Sequence, residues 1–492
     1  MRESGILMHI TSLPGPYGIG TTGKAAYAFA DFLEKAGQSY WQILPLTPTG
    51  YGNSPYQSFS SCAGNYYLID LDILIEKGLL TQDEVQGIDW GNDPGRVDFG
   101  RQFISRTAVL KKAFRRFKKD AAYEAFIEAN RIWLDDYALF MSIKEICGGA
   151  SWENWPEELR RHEPDALARK REELAEAVDF QCFLQYEFRC QWENLRRYAN
   201  ERGIRIIGDV PIYVPYDSSD VWSSPALFRL DDNLRPQKVA GCPPDAFSDD
   251  GQLWGNPLYN WQEMAKDGYT WWVRRLQAAA KLYDVVRFDH FRGFESYWAV
   301  PAGDATARNG RWCQGPGMDF IRTVHRSIPD LDFIAEDLGY VTPEVRQLQL
   351  DSGYPGMKVI EFAFDSREEG NYLPHLYPVE SVCYSGTHDN ETLKQWFDNA
   401  SAEDVAYAVR YLGLNREEGY IRGMIRGCMS SVSRLCIIQM QDYLELGAEG
   451  RMNQPGILSD ANWSWRAEEG FDSEDMAASI RAVTRLYGRL NG

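Results

Sequence analysis

The sequence contains no hydrophobic run long enough to span a membrane. Its first apolar stretch, GILMHI at residues 5–10, is also shorter than the hydrophobic region of a signal peptide. The nine cysteines are odd in number and scattered, and they include no CxxC pair and no Cys/His metal spacing. These absences argue against a disulfide framework or a zinc site, and they favour a cytoplasmic protein with reduced thiols.

Positive charge is scarce as well. The chain has 52 Lys and Arg residues against 71 Asp and Glu residues, a net charge of −19 that is spread along its length. Such a field repels phosphate backbones and anionic lipid, so nucleic acid and membrane surfaces are poor partners. A neutral ligand such as a carbohydrate is compatible with this charge, although the charge does not select it.

Hydrophobic and aromatic residues are plentiful. They make up 44% and 13% of the chain, with 16 Trp and 27 Tyr among them. A large buried core accounts for such numbers without any special role. Tyr and Trp next to Gly, Asn and Pro are also suited to open platforms, because an aromatic face can cover the apolar C–H face of a sugar ring. Composition alone leaves both interpretations open.

Eight short apolar runs predict the fold. Each is rich in Val, Ile, Leu or Phe, as is typical of a strand buried on both faces of a parallel sheet. They lie at residues 5–10, 40–46, 204–210, 284–290, 331–337, 357–362, 381–389 and 434–442. Eight such strands with helices between them predict a (β/α)8 TIM barrel. The alternative, an open doubly wound sheet, would need a Gly-rich phosphate turn after an early strand, and none is present.

Two long intervals interrupt the rhythm of strands. We expect residues 66–200 to form a largely helical insertion between strands two and three, and residues 211–273 to form a lid-like insertion between strands three and four. The whole chain, residues 1–492, would then be a single catalytic barrel. Long insertions in such barrels usually grow from the loops at the C-terminal face, where they build a cleft over the active site.

Three carboxylates end predicted strands on one rim. Asp289 closes the fourth run, Glu336 lies in the fifth, and Asp389 closes the seventh. Cleavage of a glycosidic bond with retention needs two facing carboxyl groups, one as nucleophile and one as acid and base. Arg287 shares the side of its strand with Asp289 and can hold that carboxylate ionised.

The competing interpretation of each carboxylate is a helix cap, because an Asp at a strand end often begins the next helix. We apply that interpretation to Asp337 and Asp442. Three carboxylates with Arg287, His290 and His388 at equivalent strand ends are harder to explain as caps.

The same segments carry a family resemblance that runs over nearly the whole chain. RFDH, AEDLG and GTHDN, in this order, closely resemble the three catalytic regions of the amylomaltases or disproportionating enzymes, glycoside hydrolase family 77 of the α-amylase clan. The other matching segments are HITSLPGPYGIG (9–20), GYGNSPYQSFSSCAGN (50–65), IIGDVPIYV (206–214), PPDAFSDDGQLWGNPLYNW (243–261) and RMNQPG (451–456).

The resemblance assigns roles to the three carboxylates. It implies that Asp289 is the nucleophile, that Glu336 is the general acid/base, and that Asp389 holds the hydroxyls of the distorted sugar. The implied polar ligands of that sugar are Asp209, Arg287, His290 and His388. A histidine of this kind is otherwise most often a buried, hydrogen-bonded core residue. Next to carboxylates, each histidine is expected to offer an N–H group to a sugar hydroxyl and to screen negative charge.

Further substrate-binding residues follow from the resemblance. Tyr56 would stack on the same sugar with Ser54 near it, and Tyr51 matches a tyrosine linked to a further glucan site. Residues that would line the acceptor side or the lid are Trp254, Asn256, Phe247, Asp365 and Asn453. Loop packing is an equal alternative for Trp254 and Phe247. The chain departs from some relatives in having Ala246 where they carry a second aromatic residue, which puts the grip on the acceptor in doubt.

The function implied is that of a 4-α-glucanotransferase. It would transfer α-1,4-glucan segments to the 4-hydroxyl of glucose or another glucan by retaining double displacement, with no metal or organic cofactor. The family also lacks a C-terminal β-sandwich, and only about 50 residues, helical in pattern, follow the eighth run. One alternative is an α-1,4-glucan hydrolase with the same carboxylates. Another is a non-catalytic glucan-binding protein, which would keep the aromatic residues without needing the carboxylates.

Overall fold

The computed structural model describes residues 2–50, 52–244, 248–365 and 372–490. Within these residues it has twelve strands: β1 Glu3–Leu7, β2 Tyr40–Gln42, β3 Arg205–Pro211, β4 Lys238–Cys242, β5 Gln252–Pro257, β6 Val285–Asp289, β7 Ser296–Pro301, β8 Arg311–Gln314, β9 Asp332–Ala335, β10 Gly356–Val359, β11 Ser381–Tyr384 and β12 Leu435–Gln439. Eight of them close a parallel barrel in the order β1-β12-β11-β10-β9-β6-β3-β2. The predicted (β/α)8 barrel is confirmed, and each predicted run overlaps one barrel strand.

Helices surround the barrel and fill its longer connections. The described residues form α1 Lys24–Lys35, α2 Leu71–Glu76, α3 Phe99–Arg101, α4 Thr107–Arg116, α5 Ala121–Ile146, α6 Glu157–Arg160, α7 Pro164–Glu173, α8 Ala175–Glu201, α9 Ser219–Ser223, α10 Trp261–Lys266, α11 Thr270–Ala280, α12 Gly317–Ser327, α13 Pro343–Ser352, α14 Leu393–Asn399, α15 Ala402–Leu412, α16 Tyr420–Ser430, α17 Met440–Tyr443 and α18 Glu474–Leu486. None of these helices is long and apolar enough to cross a lipid bilayer.

Helix α13, which follows the Glu336 segment, shows how local sequence sets element boundaries. The Thr342 side chain accepts a hydrogen bond from the Val345 N–H, and Pro343 occupies the first turn, where its missing N–H costs nothing. The helix ends at Gly353, whose φ of 70° is in the left-handed region that terminates many helices. These signals fix both ends of α13, and the N-terminal one also fixes where the loop after Glu336 ends.

Strand β6 shows how alternation aims side chains into the barrel. Val286 and Phe288 are fully buried, and the Phe288 ring stacks on Phe333 of the neighbouring β9 with centroids 4.9 Å apart. Because successive side chains point to opposite faces of a strand, Arg287 and Asp289 share the face opposite to Val286 and Phe288. The apolar packing of one face therefore positions the polar groups on the other.

The two long intervals differ in content. Residues 66–200 carry α2 to α8, and the two longest helices there, α5 and α8, pack against each other. Residues 211–273 carry α9, β4, β5, α10 and the start of α11. After β12, the described residues contain only the helices α17 and α18 and one short 3-10 turn.

A second sheet, absent from the sequence-based prediction, lies outside the barrel. Its four strands have the order β5-β4-β7-β8, and all three pairings are antiparallel. Strands β4 and β5 come from the interval after β3, whereas β7 and β8 follow β6. The sheet escaped prediction because its strands have only four to six residues and mixed polarity, and because their pairing is not local in sequence.

Candidate active site

The three predicted carboxylates meet at one end of the barrel. Asp289 is the last residue of β6, Glu336 directly follows β9, and Asp389 lies five residues after β11 ends. Strands β6 and β9 are neighbours, with Phe288 opposite Ala335, so Asp289 and Glu336 lie at the same level on adjacent strands. The Asp289 side chain is 27% exposed and that of Asp389 is 44% exposed, which leaves both accessible from the cleft.

A buried arginine joins Asp289 to a fourth carboxylate. Arg287 lies opposite Asp209 of β3 in the barrel register. Its Nη1 donates to both oxygens of Asp209, at 2.9 and 2.7 Å, and to Oδ1 of Asp289 at 3.0 Å. The side chains of Arg287 and Asp209 are only 4% and 1% exposed. A buried pair of this kind is held by the surrounding strands rather than by its own attraction, so it forms a rigid floor under Asp289.

Backbone amides hold Glu336. Its Oε2 accepts from the His290 N–H and its Oε1 from the Leu338 N–H, both at 2.8 Å. His290 adopts a φ of 56°, a left-handed conformation that is uncommon for a residue with a side chain. This turn immediately after β6 aims the amide of His290 at Glu336. Strain of this kind is typical of functional sites.

The turn after β11 fixes Asp389. The Asp389 Oδ1 accepts from Nδ2 of Asn453 at 2.6 Å, and its carbonyl oxygen accepts from Nη2 of Arg451 at 3.0 Å. Asn453 therefore touches a proposed catalytic carboxylate directly. At Gly386, in the same turn, an added Cβ would lie 2.5 Å from Nε2 of Gln439, so a larger residue there would have to displace the Gln439 side chain.

Tyr56, in the connection after β2, contacts Asp209 at the base of the site. Its hydroxyl donates to Oδ2 of Asp209 at 2.7 Å, and its ring stacks on His388 with centroids 5.0 Å apart. The Ser54 hydroxyl accepts from the Tyr56 N–H at 3.2 Å and shapes the turn. Since His388 covers one face of the tyrosine ring, only the other face is left for a sugar.

The second sheet supplies one wall of the cleft above the carboxylates. Trp254 of β5 meets His290 edge to face, with ring centroids 4.7 Å apart, which brings the wall against the residue after the proposed nucleophile. Asn256 of the same strand is buried, with 6% of its surface exposed. Asp365 lies just past the short 3-10 turn that follows β10 and is partly buried. Tyr51, Phe247 and Ala246 lie outside the described residues.

The sequence analysis missed or misread several neighbours. Trp463, at a φ of 66°, packs against both Tyr56 and His388, and Arg451 supports Asp389. Asp337 does not cap the next helix as predicted, and its carboxylate accepts from the Met357 N–H in β10. Asp442 lies in the first turn of α17 without being its cap, and its carboxylate accepts from the N–H of Leu393, the first residue of α14.

The described residues include no group of three or more His, Cys, Asp or Glu side chains arranged to hold a metal ion. The family model described as 4-alpha-glucanotransferase matches residues 8–472. The chain belongs to this family.

Two bacterial members of the family and one solved structure match over all or nearly all of their length. The 4-alpha-glucanotransferase of Clostridium butyricum is 50% identical over 98% of this chain and 100% of its own. That of Thermus thermophilus is 46% identical over 99% of each chain. The amylomaltase of Streptococcus agalactiae, solved in complex with acarbose, superposes with a TM-score of 0.97 at 43% identity and covers 100% of both chains. The family resemblance in the sequence is confirmed.

The electrostatics of the two carboxyl groups differ from the expectation that Arg287 holds Asp289 ionised, because the pKa of both groups is raised. Burial raises the pKa of Asp289; Arg287 opposes this rise, and Asp209 and Glu336 add to it. Burial also raises the pKa of Glu336, against the opposing effects of Arg287 and the two amide N–H groups. What separates the two groups is contact, because Asp289 touches the guanidinium and Glu336 touches only neutral amides. The arrangement therefore favours the proton on Glu336.

The histidines are neutral, which corrects the expectation that they screen charge. Burial lowers the pKa of His290 to about 3 and also lowers the pKa of His388. Each ring then offers one N–H donor and one acceptor nitrogen. That combination suits a sugar hydroxyl, which also donates and accepts.

The raised pKa of Asp289 predicts the acid limb of the pH profile. A nucleophile must be ionised, so kcat/KM should fall as the pH drops through this raised pKa, above the usual range of an aspartate. Asp209→Asn removes a neighbouring negative charge, and Asp289 becomes the one carboxylate paired with Arg287. Both changes lower the pKa of Asp289, so the acid limb should move to lower pH. Arg287→Gln should move it to higher pH. The measurement is kcat/KM against pH for both variants.

Asp332→Asn provides the control for this pair, because Asp332 lies on β9 at the opposite end of the barrel and pairs with Arg205 at the surface. Its profile should match that of the wild type. Shifts of Asp209→Asn and Arg287→Gln in the same direction would contradict the ion network.

Proposed function

We propose that the protein transfers α-1,4-glucan segments from malto-oligosaccharides or longer glucans to the 4-hydroxyl of glucose or another glucan. The reaction is a retaining double displacement. The observation that carries this proposal is the position of Asp289 and Glu336 at the same level on adjacent strands, with Arg287 bound to only one of them. Family membership supplies the class of reaction.

The first step forms a covalent intermediate. The carboxylate of Asp289 attacks C1 of the donor sugar, and the bond from C1 to the glycosidic oxygen breaks. Glu336 gives its proton to that oxygen, and the freed chain leaves with a new 4-hydroxyl. For this geometry the two carboxyl groups should be roughly 5–5.5 Å apart, against roughly 6.5–9.5 Å in an inverting enzyme.

The second step reverses the first with a different sugar. Glu336, now ionised, takes the proton of an acceptor 4-hydroxyl while that oxygen attacks C1 and releases Asp289. Asp389, held by Asn453, accepts hydrogen bonds from hydroxyls of the distorted sugar. Asp209, Arg287, His290 and His388 contact the same sugar, and the uncovered face of Tyr56 stacks on it. The two inversions at C1 restore the α configuration.

Acceptor selection is assigned to the wall formed by the second sheet. Trp254, which touches His290, is proposed to stack on the acceptor sugar together with Phe247. Asn256 and Asp365 are proposed acceptor-side ligands, and Tyr51 a ligand at a more distant glucan site. The nine free cysteines support a cytoplasmic location as part of the same proposal.

Incubation with maltotriose followed by separation of the products tests this function. The wild type should give glucose and longer oligosaccharides with little gain in reducing ends. A hydrolase with the same carboxylates would give a steady gain in reducing ends. A protein that only binds glucan would leave maltotriose unchanged.

Trp254→Ala should shift the balance from transfer to hydrolysis. Loss of a stacking contact worth about 1 kcal/mol weakens the binding of the acceptor sugar, whereas the reaction with water does not depend on that contact. Reducing ends should therefore rise about five-fold as a share of turnover, while donor cleavage falls less. Trp271→Ala is a control on the same connection, because Trp271 packs against Phe228 and Tyr259, away from the carboxylates. An unchanged ratio in Trp254→Ala would assign this side chain to loop packing.

A further inference from the structure

Two exposed aromatic rings lie next to Arg292, close in sequence to the catalytic segments and outside the site described so far. Trp312 of β8 is 38% exposed and Tyr340, in the loop after β9, is 68% exposed. Trp312 pairs across the strands with Trp298 of β7, and the two rings meet edge to face with centroids 5.1 Å apart. We call Trp298, Trp312 and Tyr340 the aromatic rim.

One buried cation fixes the aromatic rim in place. The Arg292 guanidinium lies 3.8 Å from the centre of the Trp312 ring and 5.9 Å from that of Tyr340. Its Nη1 donates to the Tyr340 carbonyl oxygen and its Nη2 to the Ser296 hydroxyl. Cation–π contact and hydrogen bonding therefore hold two exposed rings side by side. Holding side chains in place in this way reduces the entropy that a ligand must overcome on binding.

The aromatic rim is continuous with the catalytic segments. Arg292 lies three residues after Asp289, and Tyr340 lies four residues after Glu336. Four residues of fully extended chain span at most about 14 Å. The Tyr340 backbone is therefore within a few sugar units of the proposed point of cleavage.

The chemistry of the aromatic rim favours a neutral, extended ligand. Arg292 is only 5% exposed, so the surface offered to a ligand is aromatic rather than cationic. The net charge of −19 disfavours an anionic polymer. Exposed Trp and Tyr faces match the apolar C–H faces of pyranose rings.

We propose that Trp312 and Tyr340 form an outlying platform for the α-glucan chain, beyond the sugars at the point of cleavage. The proposal rests on the proposed function for the identity of the chain. Long glucans reach the platform and short oligosaccharides do not. The platform therefore sets a preference for chain length without taking part in the chemistry.

Transfer and binding measurements on Trp312→Ala and Tyr340→Ala test the platform. With long amylose, each variant should raise KM about five-fold and leave kcat unchanged, the effect of losing one stacking contact of about 1 kcal/mol. With maltotriose, both constants should stay at their wild-type values. On native gels containing amylose, both variants should migrate faster than the wild type, and Trp312→Phe should restore retardation.

Phe103→Ala is the matched control, because Phe103 is 63% exposed on the helical insertion and should affect neither assay. Tyr340→Ala removes little packing, so its effect is not a folding defect. If amylose retarded both alanine variants as strongly as the wild type, the proposed platform would be wrong. It would also be wrong if both variants lost activity equally on maltotriose and on amylose. Absence of maltotriose transfer in the wild type would instead refute the proposed function.

Discussion

Replacement of Asp289 by alanine should abolish transfer and hydrolysis on every donor. Asp209, the other carboxylate bound to Arg287, has a side chain that is only 1% exposed, so among the described residues it cannot replace the proposed nucleophile at C1. Loss of a nucleophile typically lowers the rate by about 10⁴-fold or more. The measurement is the release of glucose from maltotriose and of fluoride from α-maltosyl fluoride, and both should fall to background.

Asp332→Ala is the control for this result. Asp332 is on the strand adjacent to β6, at the opposite end of the barrel, with its side chain 65% exposed, so the variant should keep wild-type activity. Substantial fluoride release by Asp289→Ala would show that another residue attacks C1.

Glu336→Ala should separate the two steps of the reaction. With maltotriose, the rate should fall by about 10²–10⁴-fold, because the leaving oxygen needs a proton. Fluoride leaves without an acid, so α-maltosyl fluoride should still glycosylate Asp289. Release of the intermediate then lacks its base, and a covalent adduct on the intact protein should accumulate.

Mass spectrometry of the intact variant measures that adduct, and peptide mapping should place it on Asp289. Glu336→Gln, which keeps the size of the side chain and an acceptor oxygen for one of the two amides, His290 or Leu338, controls for collapse of the loop. If Glu336→Ala were as inactive on the fluoride as on maltotriose, Glu336 would not be the acid.

The barrel was predictable because each strand is a local signal. Runs such as VVRFD and LCIIQ are mainly apolar, and each ends in a polar residue. The small sheet gives no such signal, since β4 pairs with β7 across more than fifty residues of chain. A mixed hexapeptide such as SYWAVP becomes a strand only when its partner is present.

The site could be predicted as a set of residues but not as a network. The segments RFDH, AEDLG and GTHDN name the carboxylates, and strand order brings them together. The charge states could not be read from them, because the neutral histidines and the raised pKa of Asp289 result from burial by distant elements. The left-handed turns at His290 and Trp463 are likewise products of tertiary packing.

The pairing of β4 with β7 determines how the cleft can move. A wall that swings needs a hinge, a few residues free to change their backbone angles. Here β5, the strand that carries Trp254, is hydrogen-bonded to β4, and β4 is hydrogen-bonded to β7. Strand β7 belongs to the segment that begins at Asp289. The Trp254 wall and the segment that follows Asp289 therefore belong to one hydrogen-bonded unit. This side of the cleft is expected to admit a glucan chain without a cycle of opening and closing.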